Sequence, residues 1–158
     1  MKAIQVSELN GPDSAVRADV SEPQMDGAMT VEVKAAGIAF PDLLMTRGLY
    51  QYKPDPPFIL GSEGAGVVLD APEGSPFSEG DRVAFMTLGN CFAERVAVIP
   101  QMAFKLIDEL SFEQGAAYIL NYHTAHFGLH KRGHLKADEW VLVHGAAGGV
   151  GTATIQVA

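Results

Sequence analysis

Four glycines within seven residues form the segment with the clearest chemical potential. The run Val141–Gly151 reads Val-Leu-Val-His-Gly-Ala-Ala-Gly-Gly-Val-Gly, an apolar stretch followed by closely spaced glycines. Gly145 would permit a sharp bend, Gly148 and its neighbour would let the backbone approach a pyrophosphate, and Gly151 would let a helix pack closely. Unpaired N–H groups from Val150 onward would face the phosphates. The spacing predicts the first half of a dinucleotide site, against the alternative of a ligand-free strand-to-helix turn.

Other residues capable of chemistry form weaker patterns. Four histidines recur at intervals of three, four and four residues, at positions His123, His126, His130 and His134. On one continuous helix they could bind Zn or Ni, because residues spaced this way share a face. No carboxylate lies among them, and we expect Gly128 and Gly133 to interrupt the helix. Surface or linker histidines are therefore the favoured interpretation.

Isolated nucleophiles offer no further site. Ser62 and Ser111 lack the base and orienting acid of a hydrolase pattern. Cys91 is the only cysteine, which excludes an internal disulfide and a multi-cysteine metal cage. We expect it to be a half-buried thiol on a strand. His144 follows an apolar stretch, so we expect a hydrogen-bonded core histidine rather than a cofactor contact.

Composition excludes several classes of protein. The chain has 158 residues, 47% of them hydrophobic, and a net charge of -8, as expected for a globular protein without affinity for nucleic acid. The basic cluster His130–Lys136 is short. No apolar run reaches the roughly 20 residues that cross a bilayer, and the N-terminus lacks a signal-peptide core. These features predict a cytoplasmic protein with neither nucleic-acid nor membrane partners.

Short strands with frequent glycine and proline turns dominate the sequence up to about Ile107, which predicts a barrel-like or sandwich-like β-module. Pro41 is expected to open a short helix that runs to about Arg47 and ends at Gly48. The predicted strands are Thr30–Lys34, Phe58–Leu60, Gly66–Leu69, Arg82–Phe85 and Ala93–Val98.

The hydrophobic period changes at Ser111. Ser111 and Gln114 form a capping box, so we expect a helix from Phe112 to roughly Leu129. Trp140–His144 is expected to be a strand buried on both faces of a parallel sheet, followed by a helix. The fold class predicted is mixed α/β: a β-module, a linking helix and the first βα unit of a nucleotide-binding domain.

This order, together with several local motifs, resembles the medium-chain dehydrogenase/reductase superfamily, whose members carry a GroES-like β-barrel before a Rossmann domain. The resemblance spans the whole chain and about the first half of a full-length member. It divides the chain into a GroES-like substrate module over residues 1–121 and, over residues 122–158, a linking helix with the start of the Rossmann domain. The motifs that carry it are Val33–Asp42, Leu60–Val67, Gly80-Asp81-Arg82-Val83 and Phe92-Ala93-Glu94.

Departures from the zinc alcohol dehydrogenases indicate the branch. Catalytic zinc needs three protein donors and an open position. Here Ala39 stands at the family's cysteine position, Ser62 at its histidine position and Asn121 near a second expected cysteine; Glu63 alone cannot hold zinc. This pattern is similar to that of the zinc-free quinone oxidoreductases, including the zeta-crystallin-like enzymes, and no metal site is expected. Arg47-Gly48-Leu49-Tyr50 and Asn121-Tyr122-His123-Thr124 support the same branch.

The resemblance implies roles for individual residues. Tyr50 is expected to border the cofactor and substrate, where its phenol could hydrogen-bond a nicotinamide amide or a quinone oxygen; packing beside the proline-rich loop is the alternative. Thr124 is expected near the nicotinamide, and a plain helix-interior role is the alternative. The residues expected to bind the pyrophosphate are Gly145, Ala147, Gly148, Gly149, Val150 and Gly151.

The implied activity of a complete protein is NADPH-dependent, zinc-independent reduction of a quinone or conjugated carbonyl. Reduction of an enoyl thioester is an alternative, and a non-catalytic β-module with an incomplete nucleotide site is another. The edge of the strand Trp140–His144 would need a partner that the sequence does not supply, so we expect a fragment of a chain about twice as long. The complete protein is expected to be a homodimer.

Overall fold

Eight antiparallel strands form the N-terminal part of the protein in a computed structural model that describes residues 1–158. They are β1 (Lys2–Val6), β2 (Ala15–Asp19), β3 (Met29–Gly37), β4 (Phe58–Ile59), β5 (Glu63–Asp70), β6 (Arg82–Met86), β7 (Arg95–Val98) and β8 (Ala103–Lys105). One sheet has the order β2-β1-β4 and the other the order β7-β3-β5-β6-β8. The prediction of a strand-rich module is confirmed.

The core of this module follows the alternation of apolar residues along the strands. Val31 is fully buried while Thr30 and Glu32 beside it are partly exposed, as the alternating pattern predicts. Phe85 of β6 is also fully buried, and its burial contributes roughly 2–3 kcal/mol. Gly66 lets β5 approach β3 closely, because a Cβ there would lie 2.0 Å from the carbonyl oxygen of Glu32.

A short helix, α1 (Phe40–Thr46), follows β3. Pro41 lies in its first turn, where the missing N–H costs nothing. Gly48 ends the helix in the left-handed region, with φ of 64°. The N–H of Leu49 then donates to the carbonyl of Leu44 at 2.9 Å. Both predicted boundaries of this helix are confirmed within one residue.

We predicted one helix over 112–129, but the structure has three shorter helical segments there. The capping box forms: the Gln114 N–H donates to Ser111 Oγ at 3.2 Å, and the Ser111 N–H donates to Gln114 Oε1 at 2.8 Å. The first piece ends early because the Ala117 N–H donates to the Gln114 carbonyl, a tight closure typical of a last helical turn. The pieces are α2 (Phe112–Ala116), α3 (Ile119–His126) and a π-helical continuation, Phe127–Arg132.

The chain divides into two units, Met1–Ala117 and Tyr118–Ala158. The second contains α3, the π-helical segment and α4 (Gly149–Val157). The predicted buried strand at 140–144 is wrong: the segment pairs with no strand, and the side chains of Trp140 and Leu142 are exposed. A strand exists only where a neighbour completes its hydrogen bonds, and no other segment of the chain does so here.

Candidate functional site

The glycine turn that precedes α4 is held by its own backbone. Gly145 adopts the left-handed conformation, with φ of 64°. The Gly148 N–H donates to the Gly145 carbonyl at 2.9 Å, and the Thr152 N–H donates to the Gly148 carbonyl at 2.8 Å. The Thr152 hydroxyl also donates to the Ala146 carbonyl at 3.3 Å. These local bonds fix the turn although no strand forms before it.

Gly151 leaves no room for a side chain. A Cβ there would lie 2.3 Å from the Gly145 carbonyl oxygen. A Cβ on Gly149 would meet only the amide end of the Asn121 side chain, at 2.8 Å from Nδ2, and that side chain can move aside. The turn therefore depends on glycine at position 151 for its close backbone approach, which is the physical requirement that the sequence pattern indicated.

The N-terminus of α4 has the chemistry that a phosphate needs. Gly148 is the N-cap residue, and it has no side chain that could accept from the first-turn amides. Ala147 and Val150 are exposed beside it. Amides at such a helix start, with the positive end of the helix dipole, favour an anion. The residues of the turn therefore fit the pyrophosphate of a dinucleotide.

The other predicted site residues, Thr124 and Tyr50, lie outside the glycine turn. The Thr124 hydroxyl donates to the Leu120 carbonyl at 2.6 Å within α3, the helix-interior arrangement, and its oxygen can still accept a hydrogen bond. Tyr50 is half-buried, and it packs on the apolar cluster of Val6, Met45 and Leu60. Both residues are positioned by packing or backbone bonds, and their roles toward a cofactor stay predictions.

The positions that hold catalytic zinc in the zinc alcohol dehydrogenases carry side chains that cannot bind the metal here. Ala39 has only a methyl group, and Ser62 offers a hydroxyl. The carboxylate of Glu63 is buried against the backbone of Gly37, where an added Cβ would lie 2.8 Å from Oε1. No group of three or more histidine, cysteine, aspartate or glutamate side chains converges anywhere in the chain. Zinc needs three nitrogen, sulfur or carboxylate donors, so these residues do not fit the metal.

A buried carboxyl group beside these positions was not anticipated from the sequence. Asp42 is 3% exposed, and its Oδ2 accepts from the Ala39 N–H at 2.8 Å. The Gly61 backbone and the Ser62 hydroxyl favour its charged form, but Oδ1 completes no hydrogen bond. Burial is the stronger effect and raises the pKa of Asp42. The signal in the sequence is an aspartate at the third helical position, which commonly caps the residue before the helix.

Cys91 is an inert thiol. It is fully buried and lies outside the strands, so the expected half-buried strand position is wrong. Its Sγ is 3.1 Å from the Thr87 hydroxyl. Burial raises the pKa of the Cys91 thiol to about 12, which removes the nucleophilic thiolate at neutral pH.

Most of the histidines lie on the surface of the second unit. His126 and His130 are neighbours, with ring centroids 4.9 Å apart. His144 is exposed, which contradicts the expectation of a core histidine. The reason is that the buried strand that would have enclosed it does not form.

Comparison with known proteins places this geometry in a family. The alcohol dehydrogenase GroES-like domain family matches residues 25–110. The chain belongs to the medium-chain dehydrogenase/reductase superfamily. The N-terminal module is therefore a GroES-like domain, and the glycine turn with α4 corresponds to the start of a Rossmann domain, as the predicted fold class had it.

Individual relatives are similar to this chain along nearly its whole length. Quinone oxidoreductase of Pongo abelii is 38% identical over 100% of this chain and 49% of its own length. A probable oxidoreductase of Mycobacterium abscessus is 50% identical with a TM-score of 0.94, over 99% of this chain and 51% of its own. Quinone oxidoreductase of Thermus thermophilus, solved also with NADPH, is 39% identical with a TM-score of 0.87, over 99% and 49%. The chain thus spans about half the length of these relatives.

Proposed function

We propose that the complete protein is an NADPH-dependent reductase of quinones or related conjugated carbonyl compounds that works without zinc. The observation that carries this proposal is the glycine turn at the uncapped start of α4. The Thermus thermophilus quinone oxidoreductase, which shares the fold, was solved with NADPH. The donor set at Ala39, Ser62 and Glu63 supports the absence of catalytic zinc.

Binding of the cofactor falls to the glycine turn. The backbone of Ala147, Gly148, Gly149 and Val150 would hold the pyrophosphate, with Gly145 and Gly151 shaping the turn. Thr124 would accept a hydrogen bond near the nicotinamide. Bound NADPH would supply the hydride, and the protein would supply orientation.

The substrate contacts proposed for this chain come from the region after β3. The Tyr50 phenol would donate a hydrogen bond to the carbonyl oxygen that gains charge during reduction, since no metal is there to stabilise it. Phe40 is 69% exposed, and its ring offers an apolar surface for a flat substrate. The cluster beneath Tyr50 holds its ring in place, so the hydroxyl needs little reorganisation.

The experiment is stopped-flow oxidation of NADPH by the complete protein with 1,4-benzoquinone in the presence of a metal chelator. We expect activity to persist with the chelator, and Tyr50→Phe to lower kcat by about tenfold or more because one hydrogen-bond donor is lost. Tyr52→Phe is the matched control and should leave the rate unchanged. Loss of activity on chelation would overturn the zinc-free assignment.

Substrate class is decided by a parallel assay. Turnover of a crotonyl thioester in place of benzoquinone would favour the enoyl-thioester reductase. Absence of NADPH binding together with absence of both activities would favour a non-catalytic β-module. A substrate module over residues 1–121, a cofactor-binding part from residue 122, a homodimeric whole protein and a cytoplasmic location remain predictions. No helix in the structure combines the length and the apolar character needed to span a bilayer.

A further inference from the structure

Two dipeptides in the GroES-like module are of the kind that rearranges without an enzyme. They are Asn10-Gly11, the one Asn-Gly pair of the chain, and Asp26-Gly27, its one Asp-Gly pair. In each pair the backbone nitrogen of the glycine can attack the side-chain carbonyl carbon of the residue before it, because glycine has no Cβ to hinder the approach. The sequence alone favours Asn10, since a carboxamide is attacked more readily than a carboxylate.

The structure closes the first of these pairs to reaction. Gly11 is buried, and its N–H donates to the Thr46 carbonyl at 3.1 Å. Its carbonyl accepts from the N–H and from the hydroxyl of Ser14, at 3.1 and 2.6 Å. The Asn10 amide is held as well, because its Nδ2 donates to Glu8 Oε1 at 2.6 Å. Attack at Asn10 therefore requires a local opening that breaks several hydrogen bonds.

The second pair is open. Met25, Asp26 and Gly27 are all exposed, in a turn that is closed by one hydrogen bond from the Ala28 N–H to the Met25 carbonyl at 3.1 Å. The Gly27 N–H and the Asp26 carboxylate make no hydrogen bond or ion pair. Gly27 has a φ of 74°, and no atom of the surrounding structure lies within 4 Å of the position that a Cβ would occupy. The attacking nitrogen and the carboxyl group are therefore free to rotate toward each other.

We propose that Asp26 is a site of spontaneous isoaspartate formation in the folded protein, whereas Asn10 is protected. The Gly27 nitrogen bonds to Asp26 Cγ and one carboxyl C–O bond breaks; that oxygen leaves as water with the amide proton and one proton from solvent. Water then cleaves the bond between the Gly27 nitrogen and the backbone carbonyl carbon of Asp26, which becomes a carboxylate and returns a proton. The product keeps the composition and charge of the chain, and no oxidant or reductant takes part.

The modified turn leads directly into β3. Isoaspartate passes the main chain through the former side chain and so adds one methylene before Met29, which is fully buried and pairs with Val98. Because the turn is exposed and has a single hydrogen bond, it can absorb the extra atom without displacing β3. The folded chain would then present isoaspartate at its surface, as a substrate for a carboxyl methyltransferase that recognises this group. The inference does not depend on the proposed reductase activity.

Ageing of the purified chain at neutral pH and physiological temperature tests the proposal. Peptide fragmentation by electron transfer distinguishes isoaspartate from aspartate at position 26, and a synthetic peptide of residues 21–30 gives the rate in an unstructured chain. We expect the rate at Asp26 in the native protein to lie within about tenfold of that in the peptide. Deamidation at Asn10 should be at least about 100-fold slower than in a peptide of residues 6–15, because the fold must first open.

Two controls separate the fold from the sequence. Asp26→Glu keeps the charge but would have to close a six-membered ring, so isoaspartyl methyltransferase with labelled S-adenosylmethionine should label the aged wild type and not this variant. In urea that unfolds the chain, Asn10 should become the faster site. A rate at native Asp26 more than about tenfold below that of its peptide, or faster reaction at Asn10 than at Asp26 in the native protein, would each overturn the proposal.

Discussion

The two units of the chain differ in how their structure is secured. In Met1–Ala117, the strands of the GroES-like module find hydrogen-bonding partners within the same unit and enclose fully buried side chains such as Phe85. In Tyr118–Ala158, the apolar segment at 140–144 has no paired strand, and Trp140 is fully exposed. The glycine turn nevertheless keeps its shape, because short-range backbone bonds define it. The shape of this glycine turn is thus set by local interactions, whereas a sheet depends on contacts between distant segments.

The largest effect should come from removing core volume in the first unit. Phe85→Ala is expected to lower the free energy of unfolding by about 4 kcal/mol, because a fully buried ring is replaced by a cavity. Trp140→Ala, an equally severe truncation in the second unit, should change it by less than about 0.5 kcal/mol. Urea denaturation followed by circular dichroism measures both. Equal losses of unfolding free energy in the two variants would contradict the difference that we describe between the two units.

A close backbone approach provides the second test. Gly66→Ala is expected to cost about 3 kcal/mol or more, since the added Cβ would meet the Glu32 carbonyl oxygen at 2.0 Å. Gly128→Ala, at a helical glycine of the second unit with open space around it, should be neutral or stabilising by up to about 1 kcal/mol. The same urea titration measures the stability of both variants. Wild-type stability in Gly66→Ala would show that β3 and β5 are not so closely packed.

Thiol reactivity sharpens the contrast between enclosed and exposed segments. Cys91 should react with a thiol reagent on the order of 100-fold more slowly in the native protein than in urea, because it is buried and its pKa is raised to about 12. The matched variant combines Cys91→Ala with Leu142→Cys and places a single thiol at a position that is 81% exposed. It should react at the same rate in both conditions. Rapid labelling of native Cys91 would contradict the burial described above.

The pH dependence of stability reports on the carboxyl group of Asp42. Because burial raises its pKa in the folded state, the stability that it contributes is fully present below the unfolded value near 3.8 and is lost as pH rises through the folded pKa. Asp42→Asn should therefore gain stability relative to the wild type as pH increases over that window. The control Asp13→Asn, at an exposed carboxylate, should follow the wild type. A difference that stays constant with pH would show that folding does not raise the pKa of Asp42.

Much of the GroES-like module could be predicted because its determinants are local. The alternation around Val31, the Pro41 start and Gly48 end of α1, and the Ser111–Gln114 capping box are each visible within a few residues. The structure contains all of them. The glycine turn at Gly145–Gly151 was also predicted, since its close approaches demand glycine whatever surrounds it.

What could not be predicted depends on distant contacts. Whether the apolar run at Trp140 becomes a strand is decided by a pairing partner elsewhere in the chain, and its own composition says nothing about that partner. The full burial of Asp42 and Cys91 follows from how α1 and the sheets pack, which the sequence pattern does not encode. The division of the helix near Ala117 coincides with the boundary between the two units.

We propose above that the turn before α4 holds the phosphates of NADPH. The direct test is an NMR titration of the ¹⁵N-labelled protein with NADPH, which detects even weak binding. We expect the amide resonances of Gly148, Gly149, Val150 and Gly151 to shift together, while that of Val31 in the module core stays in place. Shifts that spare these four amides at saturating NADPH would contradict it.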